Sequence, residues 1–125
     1  DTGQIAAAQL ARGRLYKSAV HFFENHDLLL CPAAIVPPFD VDTRYVEEAN
    51  GMHFDNYIDW VAIASAITLT SCPAVSVPAG FTEAGLPVGL QIVGPPRGEA
   101  EALTAAALLD DANGISKLLP VSSLL

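Results

Sequence analysis

Residues 85–96 read Gly85-Leu86-Pro87-Val88-Gly89-Leu90-Gln91-Ile92-Val93-Gly94-Pro95-Pro96. Val88, Leu90 and Ile92 alternate with Gly89, Gln91 and Val93, the period of a strand with two distinct faces. Gly94-Pro95-Pro96 then stops it. Just upstream, Ala74-Val75-Ser76-Val77-Pro78 alternates in the same way, and Glu83-Ala84-Gly85 supplies a turn between the two runs. Pro78 has no N–H to give a ladder, so its strand belongs at an edge or carries a bulge. The stretch is therefore the second of two neighbouring strands.

Outward from this pair the chain alternates between helix and strand. Arg97 to Asp111 reads as a helix, with Glu99 and Glu101 where the macrodipole favours acids and Asn113-Gly114 as a stop. The tail to Leu125 is apolar without a clear period. Before the strand pair, Asp55 can cap a helix running to about Ile67. Ile58, Trp60, Val61, Ile63, Ala64 and Ile67 cover most of its circumference, which predicts burial inside something large. Residues 32–54 carry Pro32, Pro37, Pro38 and Gly51 and read as a long loop with a short helical piece at Tyr45 to Ala49. Leu28 to Cys31, closed by Pro32, reads as a strand buried on both faces. Thr2 to Asn25 reads as a helix whose apolar steps are Ala8, Leu15, Ala19, Phe22 and Phe23, with Gly13 weakening its middle by about 1 kcal/mol. This order predicts an α/β or α+β fold with the sheet covered by helices.

Composition narrows the function. The 125 residues are 51% apolar and 16% charged, enough for a core in one domain or part of one. Net charge is −8, and the six basic residues (Arg12, Arg14, Lys17, Arg44, Arg97, Lys117) form no stripe, which argues against nucleic acid and against anionic membranes. The longest apolar candidate, Trp60 to Leu69, is too short to span a bilayer and contains Ser65 and Thr68. The opening Asp-Thr-Gly-Gln has no basic n-region, so no signal peptide is expected. Cys31 and Cys72 each precede a proline outside any CxxC pair, and we read them as reduced, buried thiols of a cytoplasmic protein, with a single disulfide as the alternative. The only methionine is Met52, so a trimmed chain or a piece of a longer one is expected.

Local motifs do not assemble a catalytic centre. Gly89 and Gly94 have the spacing of a phosphate loop, but Pro95-Pro96 stands where Lys and Ser/Thr are needed. His21 and His26 are five apart, off the spacing of one helical face, and packing or surface roles suit them and His53 better than metal ligation. Asp40 and Asp42 lack the rest of a calcium loop. Ser71-Cys72 has no placed base, Ser122-Ser123 lies in the plain tail, and Lys17 and Lys117 have no motif around them.

Residues 66–99, AITLTSCPAVSVPAGFTEAGLPVGLQIVGPPRGE, resemble the C-terminal part of the amidase signature hydrolases. Pro73-Ala74, Pro78-Ala79-Gly80-Phe81, Gly85-Leu86-Pro87 and Gly89-Leu90-Gln91 carry the resemblance. Arg14 on a helix, Phe22-Phe23 and Asp27 to Pro32 extend it over nearly the whole chain. Thr68 and Ser71 stand where many members have Asn and Gly.

The resemblance implies an α/β class, the C-terminal part of the amidase signature fold, with a mixed β-sheet covered by helices. It makes residues 1–125 the C-terminal segment of an amidase domain. It further implies hydrolysis of a C–N amide bond through a Ser–cis-Ser–Lys mechanism whose triad lies upstream, with no cofactor or metal and no catalytic residue here. This segment would complete the sheet and the substrate-pocket wall. The helix before the Pro-Ala strand places Trp60, Val61 and Ser65 as lining candidates, against plain core packing, which weighs more on Val61 than on Trp60. The implied partners are a small-molecule amide and the remainder of the same chain, with homo-oligomerisation open and a largely intracellular family pointing to the cytoplasm. Substrate choice would rest on loops such as 33–54 and on residues outside this sequence. The stretch 85–96 is then mainly scaffold: Gly89 admits a close neighbour, and Gln91 satisfies buried backbone groups. Direct substrate contact is its rival role. The alternative for the whole chain is a truncated, non-catalytic paralogue acting as a binding module.

Overall fold

The computed structural model describes residues 1–118. The apolar tail from residue 119, with Ser122 and Ser123, lies outside the described residues. Helix α1 spans Thr2–Phe22. Asp1 caps it, accepting from the Gln4 amide at 2.8 Å, while the Gln4 side chain accepts from the Asp1 amine at 2.7 Å. Two orphan donors are thus satisfied at once. α1 ends before the expected Asn25, and residues 23–25 continue only as a turn, with the Asn25 amide on the Phe22 carbonyl at 3.3 Å. Leu15, Ala19, Phe22 and Phe23 form a half-buried face, but no residue of α1 is fully buried.

Strand β1 spans Leu29–Pro32. The loop beyond it contains a correction. Residues 45–49 form no helical turn; instead β2 (Glu48–Ala49) and β3 (Met52–His53) make a two-stranded hairpin. Asn50 and Gly51 both have positive φ, 50° and 77°. That is the backbone of a two-residue hairpin turn, and two left-handed residues cannot continue a right-handed helix. The Phe54 amide then closes on the Glu47 carbonyl at 2.8 Å, and the Phe54 ring is buried.

The single helix expected from Asp55 to Ile67 is two helices, α2 (Tyr57–Trp60) and α3 (Ala62–Thr70). Asn56, not Asp55, is the cap; its Oδ1 accepts from the Ile58 and Asp59 amides at 2.9 and 3.3 Å. The break falls at Val61, whose φ −88° and ψ 14° lie outside the helical well. α3 runs to Thr70 and stops at Ser71 in the left-handed region, φ 59°. The apolar circumference of α2 and α3 is not enclosed by the described residues. Ile58 is 67% and Leu69 46% exposed, and Thr70 alone is buried.

β4 (Ala74–Phe81) and β5 (Pro87–Val93) are the predicted pair. They pair antiparallel from Ala74↔Val93 to Phe81↔Pro87, with a register shift between Pro78 and Gly80. Pro78 thus sits on an edge strand at a bulge, where a missing N–H is tolerated. Beyond the bulge the ladder resumes, which carries β4 past Pro78. The turn is held by Thr82, whose amide donates to the Leu86 carbonyl at 2.8 Å while its Oγ1 accepts from the Leu86 amide at 3.1 Å. β1 pairs antiparallel with the other side of β5, giving the order β1-β5-β4. The pairing in this three-stranded sheet is antiparallel throughout.

Helix α4 (Glu99–Asn113) packs on one sheet face and stops at Gly114, φ 63°, whose amide bonds the Asp110 carbonyl at 2.8 Å. A short 3₁₀ turn, Ile115–Lys117, follows. The core is Val77, Ile92 and Ala106, with Leu28, Val75, Leu90, Ala105 and Leu109 packed around them. Adjacent residues Ile92 and Val93, which point to opposite faces, are each 1% exposed. β5 is therefore covered on both sides at that end. β1 is not: it is an edge strand here, and Leu30 is 56% exposed, against the expected two-face burial. The described helices include none long and apolar enough to cross a membrane.

Candidate substrate-pocket wall

After β1 the chain does not leave the sheet. The Ala33 amide donates to the Gly89 carbonyl at 3.0 Å, which holds the start of the loop against β5. A side chain at position 89 would crowd this contact: its Cβ would stand 3.1 Å from the Ala33 Cβ and 3.3 Å from the Ser76 Oγ. Gly89 thus admits a close neighbour, as its place in the strand suggests. The loop 32–39, Pro87 to Gly89 and Trp60 enclose a cleft of about 360 Å³. Its wall is made of proline, alanine, isoleucine, valine, phenylalanine, tryptophan and glycine only.

Trp60, the last residue of α2, forms one side. Phe39 meets its ring edge-to-face at 5.5 Å between centroids, and Tyr57 does so at 6.0 Å. Such pairs contribute about 0.5–1.5 kcal/mol beyond burial alone. The indole Nε1 is buried and has no hydrogen-bond partner among the described residues. Val61 and Ser65 are half-buried but lie outside the cleft wall. The Val61 carbonyl accepts from the Ala64 and Ser65 amides, both at 3.1 Å, so this pair serves the start of α3.

Sequence reasoning misses Phe39 and Val88 as individual lining residues. The signal for Phe39 is a loop unusually rich in apolar residues, Pro32 to Phe39, where a solvated loop would be polar.

Other polar groups settle elsewhere. Gln91 does not serve the backbone as expected: its Nε2 donates to the Cys31 Sγ at 3.3 Å, across the β1–β5 pair. Cys31 and Cys72 are free thiols, half-buried rather than buried. Ser71 Oγ accepts from Arg12 at 3.1 Å, which ties α1 to the end of α3. That hydroxyl has an arginine, not a base, beside it. His21 pairs with Glu24 at 2.8 Å and His53 with Asp55 at 3.6 Å, all at the surface. No group of three or more His, Cys, Asp or Glu side chains suited to a metal ion occurs among the described residues. The arrangement can therefore wall a pocket, while no nucleophile with a neighbouring base forms within it.

Comparison with known proteins gives a consistent family. The family model described as Amidase matches residues 2–103. A glutamyl-tRNA(Gln) amidotransferase subunit of Geobacter sp. (strain M21) is 37% identical over 99 residues, 79% of this chain and 19% of that protein. Fatty acid amide hydrolase of Arabidopsis thaliana is 34% identical over 116 residues, 89% of this chain and 18% of that protein. The crystal structure of a bacterial aryl acylamidase of the amidase signature enzymes superposes with a TM-score of 0.79 at 29% identity, covering 94% of this chain and 24% of that one. The chain thus spans about a fifth of the length of the curated relatives it matches.

Proposed function

The chain belongs to the amidase signature family, and from that premise we propose that the intact protein hydrolyses a carbon–nitrogen amide bond. A serine hydroxyl adds to the amide carbonyl, the amine leaves with a proton, and water then releases the acid and restores the serine. A cis-serine and an unprotonated lysine carry the protons, and these three residues lie upstream of residues 1–125. This segment is the C-terminal part of the amidase domain. It supplies a strand triplet to the sheet and, through Trp60, one wall of the substrate pocket; the other two lining candidates, Val61 just before α3 and Ser65 within it, stand outside that cleft wall. The reaction uses no cofactor, and the two free thiols suit a reducing cytoplasm.

The observation that carries this proposal is the family match over residues 2–103, joined to an apolar cleft with no catalytic pair inside it. The experiment assays the full-length polypeptide and residues 1–125 side by side against aryl and aliphatic amides. Turnover is expected from the full-length protein only. Activity of residues 1–125 that is abolished by Ser71→Ala or Cys72→Ala would overturn the proposal.

A further inference from the structure

We infer that the cleft between the 32–39 loop, Trp60 and the start of β5 selects electrically neutral, apolar amides and rejects those that carry a carboxylate. This rests on the hydrolytic function proposed above and names its substrate class. The first support is the wall itself. None of its residues bears a charge or a polar side-chain group apart from the indole N–H of Trp60, and that N–H is buried. A carboxylate entering such a wall gives up its hydration and gains no partner, which is heavily unfavourable. The second support is the charge around it. None of the six cations of the chain contributes to the wall. The residues next to the two large aromatics are acids: Asp40 follows Phe39, and Asp59 precedes Trp60. Asp40 accepts from the Asp42 amide at 2.8 Å and Asp59 from Asn56 Nδ2 at 2.8 Å, so neither is neutralised by a basic side chain in these contacts. An anionic ligand therefore meets an apolar wall with no cation in it, and the residues next in sequence to its two large aromatics are acids. The third support is size. About 360 Å³ lies at the lower end of the roughly 300–1,000 Å³ typical of small-ligand sites. That suits an aryl ring or a short alkyl chain.

The test compares two substrates of one length, hexananilide and the mono-anilide of adipic acid, which differ in a terminal methyl against a terminal carboxylate. The full-length protein is used, and the ratio of the two kcat/KM values is read, because a ratio is independent of how much enzyme is active. The neutral substrate is expected to be favoured about 100-fold or more. Val36→Arg, which places a cation in the wall, should shift that ratio towards the carboxylated substrate at least about tenfold. Val36→Leu should leave it unchanged and controls for disturbed packing. Binding is read separately from Trp60 fluorescence, with Trp60→Phe identifying the signal of this indole. Turnover with equal or inverted preference would overturn the inference while the hydrolytic function stands. Absence of turnover with neutral-selective quenching of Trp60 would overturn the hydrolytic function and support the cleft. Absence of both would overturn both.

Discussion

Replacing Gly94 with alanine is expected to lift the first turn of α4 off the sheet. An alanine Cβ at this position would lie 2.7 Å from the Gly98 carbonyl oxygen and 3.4 Å from the Ala102 Cβ. The oxygen is backbone and cannot rotate aside. It also accepts the Ala102 amide at 3.1 Å, the bond that opens α4, and Ala102 is only 2% exposed. Relief therefore requires the Pro95–Gly98 turn to move and the helix start with it. Overpacking of this kind costs about 1–3 kcal/mol. The lost freedom of the unfolded chain offsets about 0.4–1 kcal/mol of that. A net destabilisation of about 0–2.6 kcal/mol follows, centred near 1 kcal/mol. The assay is denaturant unfolding of the full-length protein, with amide hydrogen exchange of residues 99–106 as the local readout. Gly13→Ala is the control, because nothing lies within 4 Å of a Cβ there, and it should stabilise by up to about 1 kcal/mol. Gly94→Ala with an unchanged midpoint and undiminished protection of the α4 start would refute the steric reasoning.

Ile92→Ala should cost about 2–5 kcal/mol, since this side chain is 1% exposed at the centre of the core; a thermal midpoint within error of the parent would contradict that placement. Thiol titration of residues 1–125 under denaturing, non-reducing conditions should count two free cysteines, and a count of zero would reveal a disulfide. Residues 1–125 purified alone should bind hydrophobic dyes or self-associate, because Ile58, Leu69 and Leu30 are exposed along α2, α3 and the open edge of β1. A dye-silent monomer at low concentration would count against this.

The elements whose partners lie close in sequence are the legible ones. Alternation over 74–78 and 88–93 identifies the strand pair, and the missing donor of Pro78 locates the bulge. The β2–β3 hairpin escapes sequence reading although Asn50-Gly51 is a strong turn signal, because four strand residues are too few to show a period. The break at Val61 is invisible for a related reason: apolar residues continue on both sides of it, and only the backbone angles change. Family resemblance offers Trp60 as a lining candidate, and the structure sets its ring beside an apolar cleft. Phe39 cannot be found that way, since its contact depends on a loop folding back against Gly89. The apolar circumference of α2 and α3 is a demand for cover, as the sequence suggests, but the described residues supply little of it.

The strand order β1-β5-β4 also bears on the order of folding. β4 and β5 are joined by a short turn, whereas roughly fifty residues separate β1 from β5, so closing the second pairing costs about 2 kcal/mol more in chain entropy. The local hairpin should nucleate, with β1 adding late. On a ribosome working at about 5–20 residues per second, β1 waits several seconds for its partner to be made. During that interval Leu28-Leu29-Leu30 lacks its β5 partner. It is bracketed by Asp27, which repels its like, and by Pro32, which cannot extend a foreign ladder. Asp27 and Pro32 are expected to act as gatekeepers against mispairing on the nascent chain, a role that the finished sheet no longer displays.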